Sequence, residues 1–233
     1  WLLHGRQGRS PRALSSPMEV LFGSVSLLLH GNLVTTTTNI VDNSPTPKIV
    51  TPVGNAQIST AIANQFGNTT GVIAFDGNGD RLSVPLIELN GNFTLETFIR
   101  LNDTADCIAF GGESIFTQWM RFNQAGTPGR FDSYLNSQTV FGNISSGIVI
   151  NTWYHIAIVR SSTTFYLFIN GTQVAINSSP PAGTTGRLTL QWIGDVSNNN
   201  FHPVNGYIDE LRVTNVARYT ANFTPPAAQF PDI

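Results

Sequence analysis

Carboxylates come first, because glycoside chemistry needs a pair of them flanking one cleft. Glu96 stands alone within its apolar run. Asp209 and Glu210 are adjacent, so strand alternation sends them to opposite faces and at most one can enter a given cleft. No G-x-S-x-G is present. His4, His30, His155 and His202 sit in unrelated contexts, although composition alone does not exclude a Ser-His-Asp set. We therefore expect no enzyme.

Metal chemistry has one local candidate. Asp76, Asn78 and Asp80 in DGNGD match the first half of a calcium loop, D-x-[DN]-x-[DN]. The second half fails: the sixth position is Arg81 instead of Gly and the twelfth is Ile87 instead of Glu. The stretch reads as a strand-to-strand turn. No Cys/His spacing suggests zinc. Cys107 is alone, which forbids an intrachain disulfide, and reads as a small buried hydrophobe.

Sugar recognition uses aromatic faces for stacking and planar amides for hydroxyl groups. Three loops carry both: 102–113 (NDTADCIAFGGE), 123–134 (NQAGTPGRFDSY) and 195–206 (DVSNNNFHPVNG). The last is richest. Asn198, Asn199 and Asn200 offer donors and acceptors, Phe201 and His202 offer rings, and Gly206 permits close approach. Arg130 and Tyr134 are the candidates in 123–134. The alternative for each loop is a solvated connection without a ligand. Trp119 and Trp192 lie within apolar strands and read as core.

The elements that must position these loops follow from composition. Charged residues are 11% of 233, against roughly 25% in ordinary soluble domains. Polarity comes instead from Asn, Thr, Ser, Gln and Gly, which disfavour helix and favour turns and strands. The net charge of −2 hides an asymmetry. Arg6, Arg9 and Arg12 open the chain without an acid, and Lys48 is its single lysine. A phosphate-tracking groove needs clustered Lys and Arg, so nucleic acid is not an expected partner. No apolar run approaches the ~18 residues of a membrane span. Trp1–Leu3 is too short for the core of a secretion signal, so none is recognisable. Residues 1–17 show no periodicity and read as a disordered arm or a non-native extension, with a basic anchor as the alternative. One domain is expected over 18–233.

From Met18 onward short apolar or alternating runs are broken by Gly, Pro and Asn. They predict strands over Ser24–His30, Gly71–Phe75, Leu82–Pro85, Phe93–Leu101, Ile115–Phe122, Gly129–Tyr134, Gln138–Phe141, Trp153–Arg160, Phe165–Asn170, Gln173–Ile176, Arg187–Ile193 and Tyr207–Thr214. Asn170-Gly171 between two apolar runs predicts a type I′ hairpin. In 151–174 both faces of each strand are apolar, so both must be covered. Residues 215–233 read as an irregular closing tail. This pattern is all-β, a two-sheet sandwich or jelly roll.

The run NTWYHIAIVRSSTTFYLFINGTQVA resembles the central meander of laminin-G-like, concanavalin-A-like jelly rolls, with W-x-H-x-A and Y-x-x-x-N-G. AFDGNGDRLSVP with GNFTLETFIRL resembles the early strands of that family, and NGYIDELRVTNVARYTANFTPP its closing strand and tail. Residues 24–60 resemble the front end of versions in bacteriophage virion proteins, especially of marine phages. The resemblance covers roughly 24–230 and implies a concanavalin-A-like antiparallel jelly roll that binds instead of catalysing. It lacks the E-x-D-x-x-E strand of the glucanases in that superfamily. It also implies one structural Ca2+, for which Asp42 and Asp209 are the analogous residues. The expected function is a non-enzymatic adhesion module on a virion or extracellular surface (capsid decoration, tail fibre or host attachment). Its partners would be a glycan or other surface proteins, with homo-oligomers open. A purely structural assembly domain is the alternative, and a cryptic glycoside hydrolase using Glu96 the third.

Overall fold

The computed structural model describes residues 22–135, 137–179, 187–196 and 200–232. The arm at 1–17 lies outside them, as do Asn198 and Asn199. The described residues form fifteen strands: β1 Val25–Leu29, β2 Thr51–Val53, β3 Gln57–Ser59, β4 Val72–Asp76, β5 Arg81–Leu89, β6 Phe93–Leu101, β7 Cys107–Gly111, β8 Gln118–Phe122, β9 Arg130–Leu135, β10 Gln138–Ser145, β11 Tyr154–Ser161, β12 Thr164–Ile169, β13 Thr172–Asn177, β14 Leu188–Ile193 and β15 Asn205–Thr214. They make two antiparallel sheets packed face to face. The first runs β13-β12-β11-β6-β15-β4-β3, and the second β10-β9-β8-β7-β14-β5-β2. β1 joins the first sheet beside the second half of β15, on the flank that β4 occupies along the first half. Among the described residues no helix is long and apolar enough to cross a membrane.

Alternation decides which residues enter the core. On β6, Phe93, Leu95, Ile99 and Leu101 face the second sheet. Phe93 meets Trp119 edge to face at 5.4 Å and Phe165 at 6.0 Å, all three fully buried. The opposite face of β11 and β12 is covered too. Ala157, Val159 and Phe168 form a second cluster, roofed by Ala217, Tyr219 and Phe223 from the tail. The tail, which has no strand, is therefore a strap across the first sheet. Tyr219 stacks on Phe223 at 3.6 Å, and the Arg212 guanidinium lies 3.6 Å from the Phe230 ring centre. The hairpin at Asn170-Gly171 has φ of 49° and 74°, the type I′ geometry. Gly171 is also required because a Cβ there would strike the Phe223 carbonyl of the strap.

Several expectations need correction. Residues 107–111 are not loop: Cys107–Gly111 is a strand buried at every position, in the middle of the second sheet. The strand after it begins at Gln118, not Ile115, because Ser114–Thr117 forms a turn. Trp192 is only partly buried, since a bulge between Leu190 and Trp192 shifts the register and places it beside Arg81 instead of in the core. Asp209 and Glu210 do not take opposite faces. Asp209 opposes Phe98 and Arg212 opposes Glu96, so β15 carries one extra residue, with Glu210 at φ 51°. Ile208 and Leu211 both enter the core, and the two acids between them leave it together.

Candidate functional site

The outer face of the second sheet gathers most of the side chains expected to bind. On β9, Phe131 and Leu135 enter the core, so Arg130, Asp132 and Tyr134 point outward. Arg130 clasps Asp132 with Nε at 2.6 Å and Nη2 at 2.9 Å, and this hydrogen bond raises its pKa and holds it charged. Asp132 is fully buried and also accepts the Asn143 N–H at 2.8 Å. Tyr134 Oη donates to Gln124 Oε1 at 2.7 Å, the oxygen that Arg130 Nη2 also reaches at 2.9 Å. Gln124 opens a short 3-10 turn, 124–126, between β8 and β9.

A second clasp lies beside the first. On β8, Arg121 donates to both oxygens of Asp106, at 2.8 and 2.6 Å, and to Gln118 Oε1 at 3.2 Å. Burial tends to raise the Asp106 carboxyl, but the Arg121 hydrogen bonds and charge outweigh it and hold it below the usual range. Asp106 also accepts the Ala125 N–H, tying the 3-10 turn to the same point. Arg121 Nη2 lies 3.3 Å from His202 Nε2, which must act as acceptor because guanidinium only donates.

The loop bearing His202 is organised by a buried carboxylate. Asp195 accepts the N–H groups of Val196, Phe201 and His202, at 2.7, 3.1 and 3.3 Å. The Phe201 and His202 rings meet edge to face at 4.2 Å. Asn200 is exposed with a left-handed backbone, φ 50°. The structure thus brings Arg130, Tyr134, Phe201 and His202 into one region, joined through Arg121, Asp106 and Gln124.

Beside Tyr134 and Arg121 lies a shallow groove of about 210 Å³, lined by Phe116, Gln118, Arg121, Gln124, Tyr134 and Ser137, so that of the four expected residues Tyr134 reaches it. Phe116 is 57% exposed at its mouth. Its position comes from the Ser114 turn, in which Ser114 Oγ accepts the Phe116 N–H and Ser114 O that of Thr117. Phe116, Gln118, Arg121 and Gln124 were not anticipated. The Gly111-Gly112 pair before Ser114 was the signal that the strand pattern had stopped. Arginines locked to carboxylates, planar amides and a half-exposed ring make a rigid surface of hydrogen-bond donors beside an apolar face.

The implied calcium does not fit its residues. Asp42 is buried, and its oxygens accept the N–H groups of Leu28, Ser44 and Lys48 and the Ser44 hydroxyl, at 2.8–3.0 Å. It clamps a loop. Asp209 Oδ1 accepts the N–H groups of Gly31 and Glu210, at 2.8 and 2.9 Å. Burial, with the Glu210 charge, pushes its pKa up to about 7. The two acids flank β1 from opposite edges, Asp42 bridging Leu29 on one side and β15 pairing on the other. Among the described residues no group of three His, Cys, Asp or Glu could hold a metal. DGNGD is a turn, with Asp76 accepting the Asn78 N–H and Asp80 those of Asn55 and Asp76.

Glu96, the residue on which a hydrolase would depend, is fully buried beneath the strap. It receives Arg212 at 2.7 and 2.9 Å, Tyr219 Oη at 2.9 Å and His155 Nε2 at 3.1 Å. Burial works against its charge, yet Arg212 and His155 hold its pKa down at about 2.

Comparison with known proteins bears on the fold. The model of the concanavalin A-like lectin/glucanases superfamily matches residues 76–222. No curated protein matches by sequence. Domain 4 of AbnA, an extracellular arabinanase from Geobacillus stearothermophilus solved in complex with arabinotriose, superposes with a TM-score of 0.60 at 17% identity, covering 83% of this chain and 93% of that one. Botulinum neurotoxin type C, reported to interact with two ganglioside molecules, gives 0.56 at 12% identity over 87% of this chain and 50% of that one. The binding domain of Paraclostridial Mosquitocidal Protein 1 gives 0.54 at 16% identity, covering 85% and 50%. The chain spans about half the length of both toxin structures.

Proposed function

The chain belongs to the concanavalin A-like lectin/glucanase superfamily, and from that premise we propose that it is a non-enzymatic glycan-binding module. The groove on the second sheet holds the sugar. Phe116 stacks on a pyranose or furanose face, while Gln118, Arg121, Gln124 and Tyr134 meet its hydroxyl groups. The observation that carries the reading is the convergence of an exposed ring with planar donors that the Asp106 and Asp132 carboxylates already hold in place. The arabinotriose and ganglioside partners of the structural neighbours support it. Catalysis is no part of the proposal, because the Glu96 carboxylate is enclosed by its own partners and has no surface to offer a substrate.

We place the module on an extracellular or virion surface, as a decoration, fibre or host-attachment element. The resemblance of residues 24–60 to phage virion proteins supports that setting. An assembly role has one observation of its own: β13 is an edge strand whose Val174 and Ile176 are exposed. A glycan array followed by calorimetry tests the first reading. Phe116→Ala should weaken the best array ligand at least about tenfold, as losing a stacked ring worth roughly 1.4 kcal/mol does, with the melting temperature unchanged. A blank array with concentration-dependent self-association would favour assembly instead.

A further inference from the structure

A second cavity, sharing no lining residue with that groove, lies where the segment after β1 meets the end of the strap. Its volume is about 380 Å³, within the roughly 300–1,000 Å³ of small-ligand sites. A neighbouring hollow of about 560 Å³ shares Asn32 and Gln229 with it, so the two form one groove.

The decisive residue is His30. Its side chain is 4% exposed and lines the cavity. Nδ1 sits 2.8 Å from Glu210 Oε1, and a carboxylate can only accept, so Nδ1–H is the donor. Glu210 Oε2 accepts the Phe230 N–H at 2.7 Å, which anchors the strap end against the same acid. With Nδ1–H committed, Nε2 is the ring nitrogen left over, and that atom has no hydrogen-bond partner among the described residues. A buried polar atom without a partner is costly, and a ligand hydroxyl, which both donates and accepts, would satisfy it.

The rest of the lining narrows the ligand. Asn32, Asn39 and Gln229 bring planar amides, and Leu33 and Val41, 40% and 51% exposed, bring aliphatic surface. Among the described residues no Lys or Arg lines the cavity, and Asp232 does. Phosphate, sulfate and acidic sugars would meet the Asp232 carboxylate, whose hydrogen-bond donor is the neutral Asn43 amide. We infer that this groove is a second binding site for a neutral, hydroxyl-rich saccharide unit, with His30 Nε2 hydrogen-bonded to one hydroxyl and the amides bracketing its neighbours. Glu210 acts as a positioning residue that sets the imidazole tautomer. The site stands independently of the groove on the second sheet.

The test is a nuclear magnetic resonance titration of isotope-labelled protein. Glucose, galactose, mannose and arabinose are added separately, with glucuronate and N-acetylneuraminate as the acidic arm. The expected result is saturable shifts of the Asn32, Asn39 and Gln229 side-chain amides and of His30 Nε2 with at least one neutral sugar, in the roughly millimolar range for so few hydrogen bonds. Asn39→Ala and Gln229→Ala should each weaken that binding about fivefold, the loss of one neutral hydrogen bond, without changing the melting temperature. Phe116→Ala should leave it intact. The inference is overturned if no neutral sugar gives saturable shifts there, if the acidic sugars bind as well, or if both amide variants bind like the wild type. Binding lost in Phe116→Ala but kept in Asn39→Ala would sink this site and leave the first one standing.

Discussion

Replacing Asp209 by Asn should make the protein more stable in mild alkali while leaving it unchanged in mild acid. Asp209 has no solvent exposure and lies next to Glu210, and its pKa is pushed from 3.8 to about 7. Because the folded pKa is raised, the native state holds a proton that the unfolded chain has already released. The associated stability is complete below about pH 4 and is lost as pH rises through about 7. A shift of about three units corresponds to about 4 kcal/mol, an upper bound for this one group. Asn keeps the Oδ1 acceptor for the Gly31 and Glu210 N–H groups and carries no charge. Urea unfolding of both proteins, followed by tryptophan fluorescence at about pH 4 and about pH 8.5, measures the difference. Comparing the two proteins at each pH cancels the other titrating groups. Asp209→Asn should gain about 2–4 kcal/mol over the wild type at the higher pH and roughly nothing at the lower. Equal stability at both pH values, or a variant weaker at about pH 8.5, refutes the burial argument. Millimolar calcium offers a second arm. It should leave the wild-type midpoint at about pH 8.5 where it was, whereas a rise would restore Asp209 as a cation ligand.

Glu96→Gln should destabilise by about 3–5 kcal/mol in chemical denaturation, because it leaves the buried Arg212 guanidinium without its counter-charge. For the wild type, the lowered Glu96 pKa means stability that is present above about pH 4.5 and lost as pH falls through about 2, which an acid-unfolding titration reads. Gly171→Ala combines a positive φ with a collision against the Phe223 carbonyl, so it should cost more than about 1 kcal/mol and expose the strap to tryptic cleavage at Arg218. Cys107 is wholly buried and its thiol pKa is raised by that burial, so it should resist a thiol reagent in the native protein and react once urea unfolds it.

The strand meander was legible because alternation is a local property. Phe165, Leu167 and Ile169 against Tyr166 and Phe168 already required a covered sheet with two apolar faces, and the strap supplies the second cover. Asn170-Gly171 named its own turn for the same reason, since both positions had to accept positive φ. Bulges were invisible. One extra residue in β15, or a register shift between β14 and β5, leaves composition untouched but changes which side chains face the core, which is why Asp209, Glu210 and Trp192 departed from expectation. Cys107–Gly111 was missed because a strand enclosed on every side shows no alternation.

For the binding surfaces the division is similar. Sequence alone determined the fold class, the scarcity of charge and the loops worth searching, and it singled out Arg130, Tyr134, Phe201 and His202 as chemically suited residues. Only the tertiary structure decided that these four share one face, because Asp106 and Arg121 link strands and loops far apart in the chain. It also turned Asp42 from an expected cation ligand into a loop clamp and His30 from an isolated ring into a buried side chain lining a second groove. Hydrogen-bond donors and desolvation come from neighbours in space, and those neighbours are chosen by sheet order and register, which no single stretch of sequence carries.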